Sequence, residues 1–170
     1  MSGPEFPAGA YEAEVHPTAE RRAELIAEIE GLPGRVRELV AGLSAAQLDT
    51  KYRNWTIRQI VHHLADSHMN ALVRFRLALT EDRPTIKPYD QSRWAELPDA
   101  KSADVMLSIE LLEALHARWV ALLRAMSEAD FERTYFHPEY QTEFRLAEVL
   151  GLYAHHCRHH SAQIVWLIEK

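Results

Sequence analysis

The chain has a single cysteine, Cys157, among 170 residues, so no disulfide can form within it and the fold must stand on burial. No apolar run approaches the ~20 residues needed to cross a bilayer. Lysine and arginine number 19 against 25 acidic residues, for a net charge of −6, and no basic cluster follows one face, so the footprint of nucleic-acid binding is missing. Glycine is sparse at six residues, and no glycine-rich phosphate loop, Ser-His-Asp set or pair of acids at catalytic spacing stands out. No targeting pattern opens the chain. The composition, 47% hydrophobic and 26% charged, is that of a soluble globular protein. The expectation is one domain over residues 1–170, cytoplasmic and reduced, with no membrane or nucleic-acid partner.

Helical periodicity dominates what is present. Pro4, Pro7, Gly9 and Pro17 make the first seventeen residues an extended arm laid over something else. Leu25, Ile26, Ile29 and Leu32 then recur at helical spacing, with an interruption expected at Pro33-Gly34 before Val36, Leu39, Val40 and Leu43 resume it. Ser44 introduces a short helical turn to Leu48, and Thr56 caps a long helix striped by Ile57, Ile60, Val61, Leu64, Leu72, Phe75 and Leu79. Residues 81–101, with Pro84, Pro88 and Pro98, form a long loop. A third helix spans 102–126, with Leu107, Leu111, Leu112, Leu115, Trp119 and Leu122 on its apolar side. Residues 133–145 form an irregular crossover with room for a small hairpin, and the last helix covers 146–168. Four long amphipathic helices without a series of strands specify an all-α four-helix bundle with an extended N-terminal arm and long crossover loops.

Ten histidines are present, four of them in the run His155-His156-Cys157-Arg158-His159-His160 of the last helix. Two histidines four apart project from one helix face and can reach one ion. With Leu146, Leu150, Tyr153, Cys157, Ile164 and Ile168 setting the apolar direction, His160 lies roughly 50° and His156 roughly 90° from its centre. His155 and His159 fall roughly 150–170° away, on the side expected to meet solvent. Periodicity therefore selects His156 and His160. Cys157 points to the core as inert packing.

A third ligand must come from another helix, and three histidines with one open position is the pattern of catalytic zinc. The helix wheel leaves both His63 and His68 open. His62 sits opposite, one turn before Asp66, where an exposed ion pair accounts for it. Glu113-x-x-His116 has the form used in carboxylate di-iron bundles, but no second Glu-x-x-His accompanies it, so His116 is read as a partly buried hydrogen-bonding residue.

The chain also resembles the DinB-like superfamily, specifically its YfiT-like branch. The resemblance is carried by Phe6-Pro7-Ala8-Gly9, Gln47-Leu48-Asp49-Thr50, the stretch from Trp55 to Asn70 containing His62-His63-Leu64-Ala65-Asp66-Ser67-His68, Leu79-Thr80-Glu81, Pro88-Tyr89-Asp90, Leu115-His116-Ala117-Arg118-Trp119, His137-Pro138-Glu139 and the terminal histidine block. It implies a four-helix bundle, often homodimeric, with one divalent ion, zinc first and nickel second, held by His63, His156 and His160. Asn54 alone separates Arg53 from Trp55 where the family has a longer proline- and glycine-containing stretch. Gln163 stands where a further histidine is common, and His155 where an aromatic is; neither belongs to the implied ligand set.

Three neutral imidazoles leave an ion its charge and an exchangeable position. The resemblance therefore implies a metal-dependent enzyme acting on a small molecule: a hydrolase, or a transferase using a low-molecular-weight thiol such as bacillithiol. A non-catalytic metal- or ligand-binding bundle is the alternative from a different class. Asp66, Asn70, Arg74 and Tyr153 are candidates to orient ligands or meet substrate, and Arg58, Arg74 and Arg118 to meet a carboxylate. Surface hydrogen bonds and ion pairs are the plainer account of Asp66 and of each arginine. Trp55, Tyr89 and Trp94 are candidate pocket walls. No general acid or base is singled out.

Overall fold

The computed structural model describes residues 3–170 and is mostly helical. Four long helices carry it: α1 (Ala19–Val40), α3 (Ile57–Thr80), α6 (Val105–Ala125) and α8 (Leu146–Ile168). Between them lie the short helices α2 (Ala45–Leu48), α4 (Gln91–Trp94), α5 (Pro98–Ser102) and α7 (Glu128–Phe131). Two antiparallel ribbons complete it, β1 (Lys51–Tyr52) with β2 (Trp55–Thr56), and β3 (Thr134–His137) with β4 (Thr142–Arg145). Each of α1 and α3 packs against both α6 and α8. The first two long helices therefore lie on a diagonal, and the connection between them crosses one end of the bundle.

Local chemistry sets the starts. Thr18 accepts from the Arg21 amide at α1. At α3, Thr56 and Gln59 exchange side-chain-to-backbone bonds as a capping box, the arrangement that satisfies two otherwise orphaned amides. Thr56 ends β2 and caps α3, and Arg145 ends β4 and caps α8, so both of these helices spring directly from a ribbon. The core is built on Trp119, Phe75, Leu25, Ile29, Leu64, Ile109 and Leu146, all fully buried.

Several expectations need correction. α1 runs unbroken through Pro33; the proline deletes one helical hydrogen bond without ending the helix, because packing on both flanks holds the axis. The loop after α3 contains two short helices, α4 and α5, and Ser102 belongs to α5 while Asp104 caps α6. Leu107 and Leu111 are 63% and 46% exposed. α6 is leucine-rich around much of its circumference, and its buried face is instead set by Ile109, Leu112, His116, Trp119, Val120 and Leu123. Ile168, at the end of α8, is exposed as well. The small hairpin for which residues 133–145 had room is present, paired from Thr134 to Arg145. Among the described residues no helix is long and apolar enough to cross a membrane.

Candidate metal centre

α3 and α8 bring His63, His156 and His160 together inside the bundle. One ligand-type nitrogen from each lies within 4.8 Å of the other two. His156 Nε2 is 3.2 Å from His63 Nε2 and 3.1 Å from His160 Nε2. The Trp55 ring walls the group, its centroid 4.5 Å from that of His63 and 6.4 Å from that of His160. Burial drives all three rings toward the neutral form: His63 is pushed down to about 4, and His156 and His160 well below the ordinary histidine range.

A row of buried histidines fixes which nitrogens carry hydrogen. Pro33 has no amide hydrogen, so the Ile29 carbonyl in α1 lacks its helical donor. His116 of α6 supplies the replacement, with Nδ1 2.6 Å from that oxygen. A carbonyl only accepts, so His116 Nδ1 carries the hydrogen and its Nε2 is bare. His68 Nδ1, 2.8 Å away, must donate to it. His68 Nε2 is then the acceptor for His156 Nδ1 at 3.1 Å. The row ends with His156 presenting a bare Nε2. Independently, His160 Nδ1 donates to Gln163 Oε1 at 2.7 Å, leaving its Nε2 bare too. Burial depresses His116 to about 4 and His68 further, consistent with neutral rings throughout.

Two unprotonated imidazole nitrogens therefore face each other at 3.1 Å. Lone pairs at that separation repel unless a cation lies between them. Nitrogens bound tetrahedrally to zinc at 2.0–2.1 Å sit about 3.3 Å apart, so the donor set fits a divalent ion. Outer partners that fix a ligand's tautomer and aim are a regular feature of such sites.

Two cavities flank the cluster. One, of about 480 Å³, reaches His156 and is bordered by Arg74, Tyr89, Tyr135, His137 and Tyr153. The other, of about 460 Å³, reaches His160 past Trp55 and Gln163. Gln91 and Ser92 of α4 border both.

The other candidates fall as follows. His68 lies outside the cluster but holds His156. His62 is buried, not exposed: its Nδ1 is 2.7 Å from Ser108 Oγ, because α5 and the start of α6 cover that side of α3. His155 and His159 are half-buried. The N-terminal arm lies over the first, with the Tyr11 ring 5.3 Å from His155 and its hydroxyl donating to the Glu148 carbonyl. Cys157 is fully buried and its thiol is pushed up by that burial. Asp66 is half-buried and raised to about 6, first by burial and then by the charge of Asp99. Asn70 donates to the Asp66 carbonyl. Arg58 is buried between Asp49 and the Ala103 carbonyl, and Arg118 is exposed. Trp94 packs on Tyr89, their ring centroids 4.5 Å apart. His116 is the buried hydrogen-bonding residue expected, but its link through His68 to His156, and the bond of Gln163 to His160, were missed from sequence. The i, i+3 spacing of His160 and Gln163 was the available signal for one of them.

Comparison with known proteins places this arrangement. The family model described as DinB superfamily matches residues 28–164. The chain belongs to the DinB superfamily. Among relatives of the superfamily, it is 44% identical to YfiT of Bacillus subtilis (strain 168), over 97% of this chain and 94% of that protein. It is 52% identical, over 85% of this chain and 84% of the other, to a Bacillus mycoides (strain KBAB4) protein; both carry the name "Putative metal-dependent hydrolase". The solved structure of Bacillus subtilis YfiT, described as a probable metal-dependent hydrolase with an unusual four-helix bundle topology, superposes with a TM-score of 0.94 at 43% identity. It covers 96% of this chain and 95% of that one. The four-helix bundle expected from sequence is therefore the fold of this DinB-superfamily member.

Proposed function

We propose that the protein is a metal-dependent hydrolase of a small molecule, with one divalent ion, zinc before nickel, held by His63, His156 and His160. The observation that carries this is the pair of bare Nε2 atoms 3.1 Å apart, a buried contact that only a cation makes favourable. An ion bound there supplies Lewis-acid chemistry, activating water and polarising a carbonyl. The chain's own contribution is positional. Pro33, His116 and His68 hold His156 in one tautomer, Gln163 does the same for His160, and Trp55 keeps bulk water from the His63 side. The cavity beside His156 is of a size that admits small ligands.

The names of the relatives support hydrolysis. Transfer of a low-molecular-weight thiol such as bacillithiol rests on the family resemblance alone, and a non-catalytic binding bundle is the remaining alternative. One experiment separates them. The purified protein is stripped of metal, reloaded with zinc or nickel, and assayed against ester and amide panels, with and without a thiol and a chlorinated electrophile. Metal-restored hydrolysis without thiol is the expected result. Thiol conjugation without hydrolysis would replace the proposal with the transferase, and tight metal binding with neither activity would replace it with the binding module.

We also infer a homodimer in the cytoplasm. Exposed Leu107 and Leu111, one turn apart on α6, offer an apolar surface for the second copy. Light scattering of the Leu107→Asp variant tests this: a dimer unaffected by the change removes that surface from consideration.

A further inference from the structure

The cavity beside His156 holds a cation that no ion pair among the described residues engages. Arg74 lines it, and its Nε is buried without a hydrogen-bond partner among the described residues. The two buried arginines elsewhere in the chain are paired, Arg58 with Asp49 and Arg22 with Glu128. Arg74 takes part in none of the ion pairs among the described residues. A buried guanidinium hydrogen left unpaired is costly, so the omission needs a reason.

Asp90 and Glu139 also border this cavity, but neither is ion-paired with Arg74 among the described residues, and the phenols beside it are neutral. Burial raises the phenols of Tyr89, Tyr135 and Tyr153; the charge of Arg74, and its hydrogen bonding to Tyr135 and Tyr153, only partly oppose the rise. His137 is held below its ordinary value by burial and by Arg74 itself. His137 is also 5% exposed, and its Nδ1 is the second buried polar atom of this cavity with no partner. Tyr140 and Phe144 add aromatic walls beside them, with ring centroids 4.6 Å from His137 and 5.9 Å from Tyr140 respectively. The same cavity also touches His156. A guanidinium with a free buried Nε–H and no ion-pair partner among the described residues, a spare histidine nitrogen and aromatic walls form a receptor for an oxyanion attached to a flat or apolar body.

We propose that Arg74, with His137 beside it, is the anchor for a carboxylate or phosphate group on the substrate, whose reacting end then lies toward His156. The inference rests on the hydrolase reading for the word substrate, but the binding it asserts does not depend on turnover. The substrate class is a small anionic molecule, aryl or alkyl, with its charge remote from the bond that is cut. Arg74 acts by binding and orienting, and the energy it supplies makes an uncharged analogue a poor ligand.

The test uses phenylacetate, phenyl phosphate and neutral phenylacetamide as probes, titrated into metal-free and zinc-loaded protein. Calorimetry and the Arg74 Nε–H resonance report binding, the resonance being assigned by its loss in Arg74→Lys. The expected result is that at least one anion binds the metal-free protein at least tenfold more tightly than phenylacetamide and shifts that resonance. Arg74→Gln should weaken the anion at least tenfold while Arg74→Lys retains part of the affinity. Comparing the two anions identifies carboxylate or phosphate. Equal binding by wild type and Arg74→Gln, or anion binding only when zinc is present, would overturn the proposal. Thermal unfolding of both variants checks that they fold. If Arg74→Gln does not fold, Arg74→Lys and the amide comparison in wild type still decide. Failure of every hydrolysis assay, with anion binding intact, would sink the hydrolase reading and leave the anchor standing.

Discussion

Replacing His116 with leucine should cost more stability in the wild-type chain than in a Pro33→Ala background. The substitution removes the bonds to the Ile29 carbonyl and to His68 Nδ1. Ile29 and His68 are both fully buried, so water cannot fill in. Each stranded polar group costs about 1–3 kcal/mol, which puts His116→Leu at about 2–6 kcal/mol. In a Pro33→Ala chain the restored amide at position 33 donates to the Ile29 carbonyl as the fourth-residue partner of an ordinary helix. One of the two groups is then covered, and the penalty should shrink by about 1–3 kcal/mol. Urea unfolding of wild type, both single variants and the double variant, all metal-free and at about pH 8, where histidines are neutral, measures this difference as a coupling energy. Additivity within about 0.5 kcal/mol would refute the claim that the proline is what directs the histidine row. The same His116→Leu protein should bind cobalt at least about tenfold more weakly, since His156 loses the chain of donors that fixes its tautomer.

Three further outcomes follow from the geometry. His160→Ala should abolish most metal binding, whereas His159→Ala should keep occupancy near wild type by elemental analysis, since the His159 ring meets the edge of His160 and accepts from Gln163 but lies outside the three-histidine cluster; equal losses would place the ion elsewhere. The metal-free protein should lose stability as pH falls from about 6.5 toward about 4. Across that window the unfolded chain binds protons that the folded chain refuses at His63 and His116, each pushed down to about 4 by burial. His116→Leu should make the fall shallower, by at most about 1.4 kcal/mol per pH unit, and a stability that is flat through this range would contradict neutral burial. Cys157 should stay unreactive toward an aromatic disulfide reagent until the protein is unfolded, because the thiol is buried and held protonated; prompt labelling of native protein would show the core opening at α8.

Sequence periodicity reached the long helices and the side of α8 that faces inward, because Leu150, Tyr153, Cys157 and Ile164 leave little choice of direction. It misplaced α6, where leucines surround the axis and only Trp119 and Ile109, packed on their neighbours, settle the matter. His62 looked exposed because what covers it, Ala103 and Ser108, lies some forty residues further along and packs back only in the fold. The wheel left His63 and His68 undecided for a physical reason: both are inward, one toward His156 Nε2 and the other toward His156 Nδ1. The row through His116 draws one group from each of the four long helices, so no single helical segment displays it. A proline in mid-helix does announce a free carbonyl four residues earlier, but the donor that answers it, His116, is 87 positions away.

Both helices that carry the cluster begin where a ribbon strand stops, α3 at Thr56 and α8 at Arg145. A strand zipped to its neighbour cannot swivel, so each helix inherits its angular phase from the ribbon before it. An extra residue at the Tyr140–Gln141 bend leaves that phase untouched, since bends absorb length at little cost. The same residue slipped between Arg145 and Leu146 would advance everything after it by about 100° and turn His156 and His160 away from His63. Length is free to drift at the tip of this hairpin and frozen at its base.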